Sequence, residues 1–423
     1  MGRALRRIGL ALALAACSEP PPAPPSGAPP ARPEPTAPER RARDAGNDAQ
    51  VFAADGCAIE EAHRFRFAVG ARPADGPPAL IAGDDRFAVA WRDVRAGRPD
   101  LFVAGFRSSG APVPEHPLVE SPALESAPRL ARWGGGLVAV WAEGADLWMR
   151  RQDPELRPIG APAPLTATPG EVERTLDARV LDARLFVAWL ARTPRGGRSH
   201  TQLGVFTEGG RAIGAPRTLA LFDGRAPTGV ALGALDGRPA AALVDPNDGR
   251  VWLRTMDADG APRGEAIRLD ADANADGSID AAFAGDGGAV LFGARVGVRS
   301  QLRFVPLDAN GAPLASERVI GEEASTASAV HAGLRDGGIA ALDRGYAVAY
   351  RALDGSNGAE LRFGLLTTAG ARILELAVAP TTLGGGPVRV RVSDDGRVGI
   401  AWAEHAAGGT VVRGAMARCW GLR

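Results

Sequence analysis

One unit of about fifty residues recurs along this chain, and it limits the possible folds more than any other feature. Its anchor is a short apolar strand ending in a bulky residue. The copies are FAVAW at Trp91, LVAVW at Trp141, LFVAW at Trp189, AALV at Val244, AVLF at Phe292, YAVAY at Tyr350 and VGIAW at Trp402. A polar loop and a second strand follow, as in DLFVAGF from Asp100, DLWMRR from Asp146, QLGVF from Gln202 and ELRFGLL from Glu360. Then comes a glycine-bearing turn: RSSGAP, TEGGRA, DADGAP, DANGAP or TTAGAR. Glycine, Asp and Asn accept the positive φ of tight hairpins, and the flanking alternation of apolar and polar residues has the period of a strand. One more short strand and a Gly-rich turn precede each anchor, as in APRLARWGGGLVAVW.

Four short antiparallel strands repeated seven times predict an all-β chain, a seven-bladed β-propeller of four-stranded antiparallel blades covering residues 51–423. A single core rarely grows beyond ~250–300 residues, whereas blades packed face to face around an axis form one continuous ring. A stacked β-solenoid, a pair of β-sandwiches and a six-bladed ring are the rival arrangements.

The first residues, MGRALRRIGLALALAACSEP, carry Arg3, Arg6 and Arg7 ahead of an uncharged apolar run, Ile8 to Ala16. That run is too short to span a bilayer and reads as an export signal over residues 1–16. Its end, Leu14-Ala15-Ala16-Cys17, resembles the lipobox of bacterial lipoproteins. The resemblance implies a lipidated Cys17 at the mature N-terminus, anchoring the chain to a membrane without crossing it. Localisation is then the cell envelope, on the periplasmic face of the outer membrane or the cell surface. Residues 17–50 are dense in proline and read as a disordered, semi-rigid tether.

Export places Cys57 and Cys419 in an oxidising compartment, where a disulfide is expected and two free buried thiols are the alternative. Their positions give that bond a purpose. After Trp402 the seventh unit has one further strand, TVVRGAMAR, and then stops. At the other end, HRFRFAVG from His63 is a strand without partners. An N-terminal strand completing the last blade repairs both defects, and Cys57–Cys419 then stands where a turn joins the two strands in every other blade.

The one stretch with ligand-like spacing is DANADGSID. It resembles the nine-residue calcium loops of FG-GAP propeller blades. That resemblance implies a structural Ca²⁺ held by Asp272, Asn274, Asp276, the carbonyl of Ser278 and Asp280. An acidic turn without metal is the other reading. Where an EF-hand needs a bidentate Glu the chain has Phe283, and it matches neither the Asp-box nor the WD signature. The five histidines are widely separated and mostly in loop-like settings, so they read as surface or lightly packed groups rather than a metal cluster. Trp91, Trp141, Trp189 and Trp402 end equivalent strands and are expected between blades.

Forty-nine basic and 49 acidic residues balance, with no basic face to suggest nucleic acid. The expectation is a non-enzymatic, monomeric binding or scaffold module for an envelope protein or a polysaccharide. The alternative is an envelope hydrolase or lyase with its site at the channel mouth; against it, equivalent loops carry unlike residues, Arg92-Asp93, Glu143 and Glu404, and no paired-acid pattern repeats.

Overall fold

Alternating apolar residues make each strand two-faced, and both faces must be covered. In the computed structural model the two faces of each blade are covered by the neighbouring blades. The structure describes residues 56–69, 78–94, 100–121, 126–165, 172–192, 199–220, 225–270, 274–284, 286–297, 299–324, 336–353, 359–382, 386–406 and 409–419. The expected signal, Cys17 and the tether lie outside them.

There are seven four-stranded antiparallel sheets. Six follow chain order from the inner strand outward, within residues 79–119, 129–164, 172–220, 229–268, 275–324 and 337–381. Blade seven takes Arg389–Val392, Arg397–Ala406 and Gly409–Cys419 from the C-terminal region, and Cys57–Val69 as its outermost strand. The inner strands contact one another in sequence around the ring, and that of blade one contacts that of blade seven. The chain is a β-propeller.

The core is divided accordingly. Seven buried clusters are found among the described residues, and each is shared by two adjacent blades. Trp91, Trp141, Trp189 and Trp402 lie in them with at most 2% of their surface exposed. The cluster between blades seven and one holds Trp91, Phe87 and Phe106 together with Phe65 from the N-terminal strand. The Phe65 and Phe106 rings stack at 4.2 Å. One anchor differs from the sequence reading. In blade four, Leu243 packs toward blade three as the other anchors pack toward their preceding blade, while Val244 faces blade five. A strand reverses face at every residue, so an alignment one residue out selects the wrong side.

A common turn links the third and fourth strands of the first six blades. Within it, the Gly110 N–H bonds to the Arg107 carbonyl, and the Arg107 N–H bonds to the Ala111 carbonyl. The same pair of bonds recurs around Gly210, Gly260, Gly311 and Gly370, all at positive φ. Blade two has it too, although it lacks the sequence signature. There Leu156 takes the glycine position at φ 64° because its side chain is wholly buried.

In blade seven the turn is replaced by the disulfide. Cys57 and Cys419 are register partners at the end of the ladder, bonded with Cα atoms 4.0 Å apart and 362 residues apart in sequence. The N-terminal strand begins at Cys57 itself rather than at His63, with a bulge between Ile59 and Arg64. That bulge keeps both the cysteine and Phe65 in register with the C-terminal strand.

Candidate functional site

Among the described residues, chemistry-bearing side chains meet at the centre of the ring and in a cleft on the face formed by the tight turns.

At the centre, charges stand on equivalent positions of the inner strands. Arg129, Asp177, Asp280 and Arg389 each pair with the residue just before an anchor: Val140, Ala188, Leu291 and Ala401. Arg179 and Arg391 stand two residues further along two of the same strands. All six line one narrow cavity of about 20 Å³, walled by Leu80, Leu130, Val230 and Ile279.

Several of these groups stitch one blade to the next. Asp177 Oδ2 accepts the Leu232 N–H at 2.7 Å, and Asp280 Oδ2 accepts the Ile339 N–H at 3.3 Å. Arg129 Nε donates to the Leu176 carbonyl at 2.7 Å, and Arg179 Nε to that of Leu232 at 3.2 Å. Asp280 is also 3.5 Å from Arg391 and 3.9 Å from Arg389. Burial, and then the neighbouring Arg389, bring the Arg129 guanidinium down to about 10. Burial and repulsion by Arg179 do the same to Arg391, also to about 10, against the opposing pull of Asp280. Both still carry their charge at neutral pH.

The expected calcium loop is described only in part. Asp272 and the Asp276 side chain lie outside the described residues. Asn274 is exposed and Ser278 half-buried. Asp280 is buried in the channel, with Oδ1 accepting its neighbour's N–H at 3.0 Å and Oδ2 facing Ile339 and the arginines. A cation is a poor fit for a carboxylate so placed, because its nearest charged neighbours are themselves cations. Its described part forms a bulged entry to the inner strand of blade five, between Ala275 and Ile279.

The unlike residues of the equivalent loops, Arg92, Asp93, Glu143 and Glu404, have partners within the fold. Glu143 accepts the Ser121 hydroxyl at 2.6 Å and the Trp141 indole N–H at 3.0 Å. Glu404 pairs with Arg413, and Asp93 is buried. Arg351, 1% exposed, donates to the carbonyls of Gly386 and Ala403 and so ties blade six to blade seven. Of the histidines, His116 and His200 sit half-buried on strands rather than in loops. His331 lies outside the described residues, as do the side chains of His63 and His405.

The cleft, of about 260 Å³, opens between blades one and two. Ile81, Ala88, Leu137 and Leu156 give it an aliphatic floor, and Asp84, Asp85, Arg86 and Arg132 a charged rim. Ion pairs hold that rim. Arg107 reaches Glu155 at 2.6 Å and Asp85 at 3.1 Å, and Arg86 reaches Asp85 at 2.8 Å. These guanidinium groups keep the Glu155 carboxyl below its usual range. Arg132 pairs with Asp84 of blade one and, at 3.0 Å, with Asp394 of blade seven, and its bond lowers the Asp394 pKa.

Sequence reasoning missed both places. A signal for the first was present, since a charged residue recurs twelve or thirteen positions before four of the anchors. The cleft had none, because its walls meet only once two blades pack.

The sequence matches no protein-family profile and no curated protein. The fold is similar to that of a protein of unknown function from Dyadobacter fermentans, at 10% identity and TM-score 0.52, covering 86% of this chain and all of that one. It is also similar to a puromycin-hydrolysing peptidase of Mycobacterium tuberculosis, at 14% identity and TM-score 0.50, covering 81% of this chain and 52% of the peptidase. The Dos1 propeller is similar at 8% identity and TM-score 0.44, covering 83% of this chain and 93% of that one. At such identities the likeness speaks for the fold alone.

Proposed function

We propose that this chain is a lipid-anchored envelope protein whose propeller is a non-enzymatic binding module, and that the cleft between blades one and two receives a side chain of a protein partner. The cleft carries this reading. A concave aliphatic floor ringed by a few fixed polar groups is the usual form of a recognition pocket. Here the rim is held by ion pairs before any partner arrives, so little ordering entropy is lost on binding. The aliphatic floor suits an apolar protein side chain better than the face of a sugar.

Site-specific cross-linking tests it. A photoreactive residue at Arg132 of the full chain, in its bacterial envelope, should give one dominant adduct. The same residue at Glu265, on an outer strand of blade four, should not give it. Ile81→Arg, which places a charge on the floor, should abolish the adduct. Equal adducts at Arg132 and Glu265, or an adduct indifferent to Ile81→Arg, would count against the cleft.

Membrane attachment rests on the resemblance of Leu14–Cys17 to a lipobox, and Cys17→Ala should move the protein from the membrane to the soluble fraction. The structural calcium proposed at Asp272, Asn274, Asp276 and Ser278 rests on their spacing, with Asp280 already committed to the ring. Its test is a thermal midpoint that falls when a chelator is added.

A further inference from the structure

We propose that the centre of the ring binds one compact inorganic anion, a halide or a small oxyanion, held by Arg129, Arg179, Arg389 and Arg391. Four guanidinium groups and two carboxylates line this cavity, an excess of two positive charges among the described residues. The carboxylates have limited capacity to balance it. Asp177 and Asp280 each accept two backbone N–H groups, from Ala178 and Leu232 and from Ala281 and Ile339. Their negative charge is already drawn toward those donors.

The arginines, by contrast, have donors to spare. Each guanidinium offers five N–H groups in a planar fork, a geometry matched to anions. Carbonyls take two nitrogens of Arg129, one of Arg179 and one of Arg391. Arg391 Nε is buried without a hydrogen-bond partner among the described residues. The lowered pKa values of Arg129 and Arg391 report the same imbalance, since like charges are held together out of water.

Walls of Leu80, Leu130, Val230 and Ile279 weaken screening, so a negative charge placed among these arginines is attracted more strongly than at the surface. About 20 Å³ leaves room for one small group and excludes a nucleotide or a sugar. The four arginines come from blades two, three and seven. An anion shared among them would therefore join distant parts of the ring at its axis. The cleft and its partner play no part in this proposal.

The experiment is calorimetric titration of the full chain with sodium chloride, sodium sulfate and sodium phosphate, alongside thermal unfolding in the same salts. Sodium gluconate at equal ionic strength is the control, its anion being too large for the cavity. The expected result is saturable binding of one equivalent of at least one of the small anions, with the midpoint raised by about 3–5 °C over gluconate. Arg129→Met together with Arg391→Met should remove both effects and leave a protein whose midpoint is the same in all salts. No saturable heat with the parent protein, or midpoints in small anions that match gluconate, overturns the proposal whether or not the double variant folds. Binding that survives in the folded double variant overturns the assignment to the channel.

Discussion

Asp280 Oδ2 lies 3.3 Å from the Ile339 backbone nitrogen and 3.5 Å from Arg391 Nη1, so one carboxylate ties blade five to blade six and faces a cation from blade seven. The residue that closes a calcium-like spacing in the sequence is thereby part of the ring's centre. Cutting the side chain back leaves a buried N–H without its acceptor and Arg391 without its nearest counter-charge. Asp280→Ala should destabilise the protein by about 3–5 kcal/mol in guanidinium unfolding, the usual effect of removing one partner from a buried pair. Asp280→Asn, which keeps an acceptor, should lose less. A loss below about 0.5 kcal/mol for the alanine variant would mean that this carboxylate holds nothing together.

The chain has two tyrosines, Tyr346 and Tyr350, both on the second strand of blade six and both buried. Burial, with Asp286 nearby, pushes Tyr346 up to about 12. Tyr350 is raised further by burial and by its 2.5 Å bond to Glu375. An acid whose folded pKa is raised favours folding below its unfolded pKa, near 10, and that contribution is lost as pH rises through the folded value. Absorbance at 295 nm should therefore show little tyrosinate in the native protein at pH 10–11, and a cooperative rise together with unfolding near pH 12. Ordinary titration of either tyrosine near pH 10 in folded protein would contradict their placement.

Leu156 occupies a turn position that its five counterparts give to glycine, at φ 64°. Leu156→Gly relieves about 1 kcal/mol of backbone strain but gives up a wholly buried side chain, whose removal costs about 2–5 kcal/mol. The net expectation is a loss of roughly 1–4 kcal/mol, read from chemical denaturation, with the cleft floor enlarged. A stabilised variant would show that turn geometry outweighs burial at this position.

Much of this architecture was legible because a propeller repeats one local pattern, so apolar strands and Gly-bearing turns recur at a readable period. Cys57 and Cys419 added the long-range constraint, since each lies at the ragged end of an unfinished unit. Where legibility failed, packing had overridden the local signal. Leu156 stands in for a turn glycine because its neighbours bury it, and Leu243 rather than Val244 is the fourth anchor because strand register sets the face. Arg129 and Arg391 looked like ordinary polar alternation along short strands. Only the ring brings residues so far apart in sequence to one axis, and neither composition nor period carries that information.

Beyond its backbone ladder with Gly409–Cys419, the N-terminal strand is held by the disulfide and by the packing of Phe65 on Phe106. Cross-linking ends this far apart in sequence restricts the unfolded chain, and removing the bond with Cys57→Ser and Cys419→Ser should cost about 3–5 kcal/mol. Adding Phe65→Ala should then release blade seven before the rest of the ring. The measurement for that order is hydrogen exchange, with residues 409–419 losing protection first and the amides of blade three keeping theirs. Uniform loss of protection around the ring would show that closure at blade seven has no special role.

Peptide mapping of the unreduced protein by mass spectrometry tests ring closure most directly. Protease digestion after thiol alkylation should yield one cross-linked species joining the segment that contains Cys57 to the segment that contains Cys419, resolved into two by reductant. Recovery of both cysteines as separate alkylated peptides without reductant would contradict a ring fastened where its two ends meet.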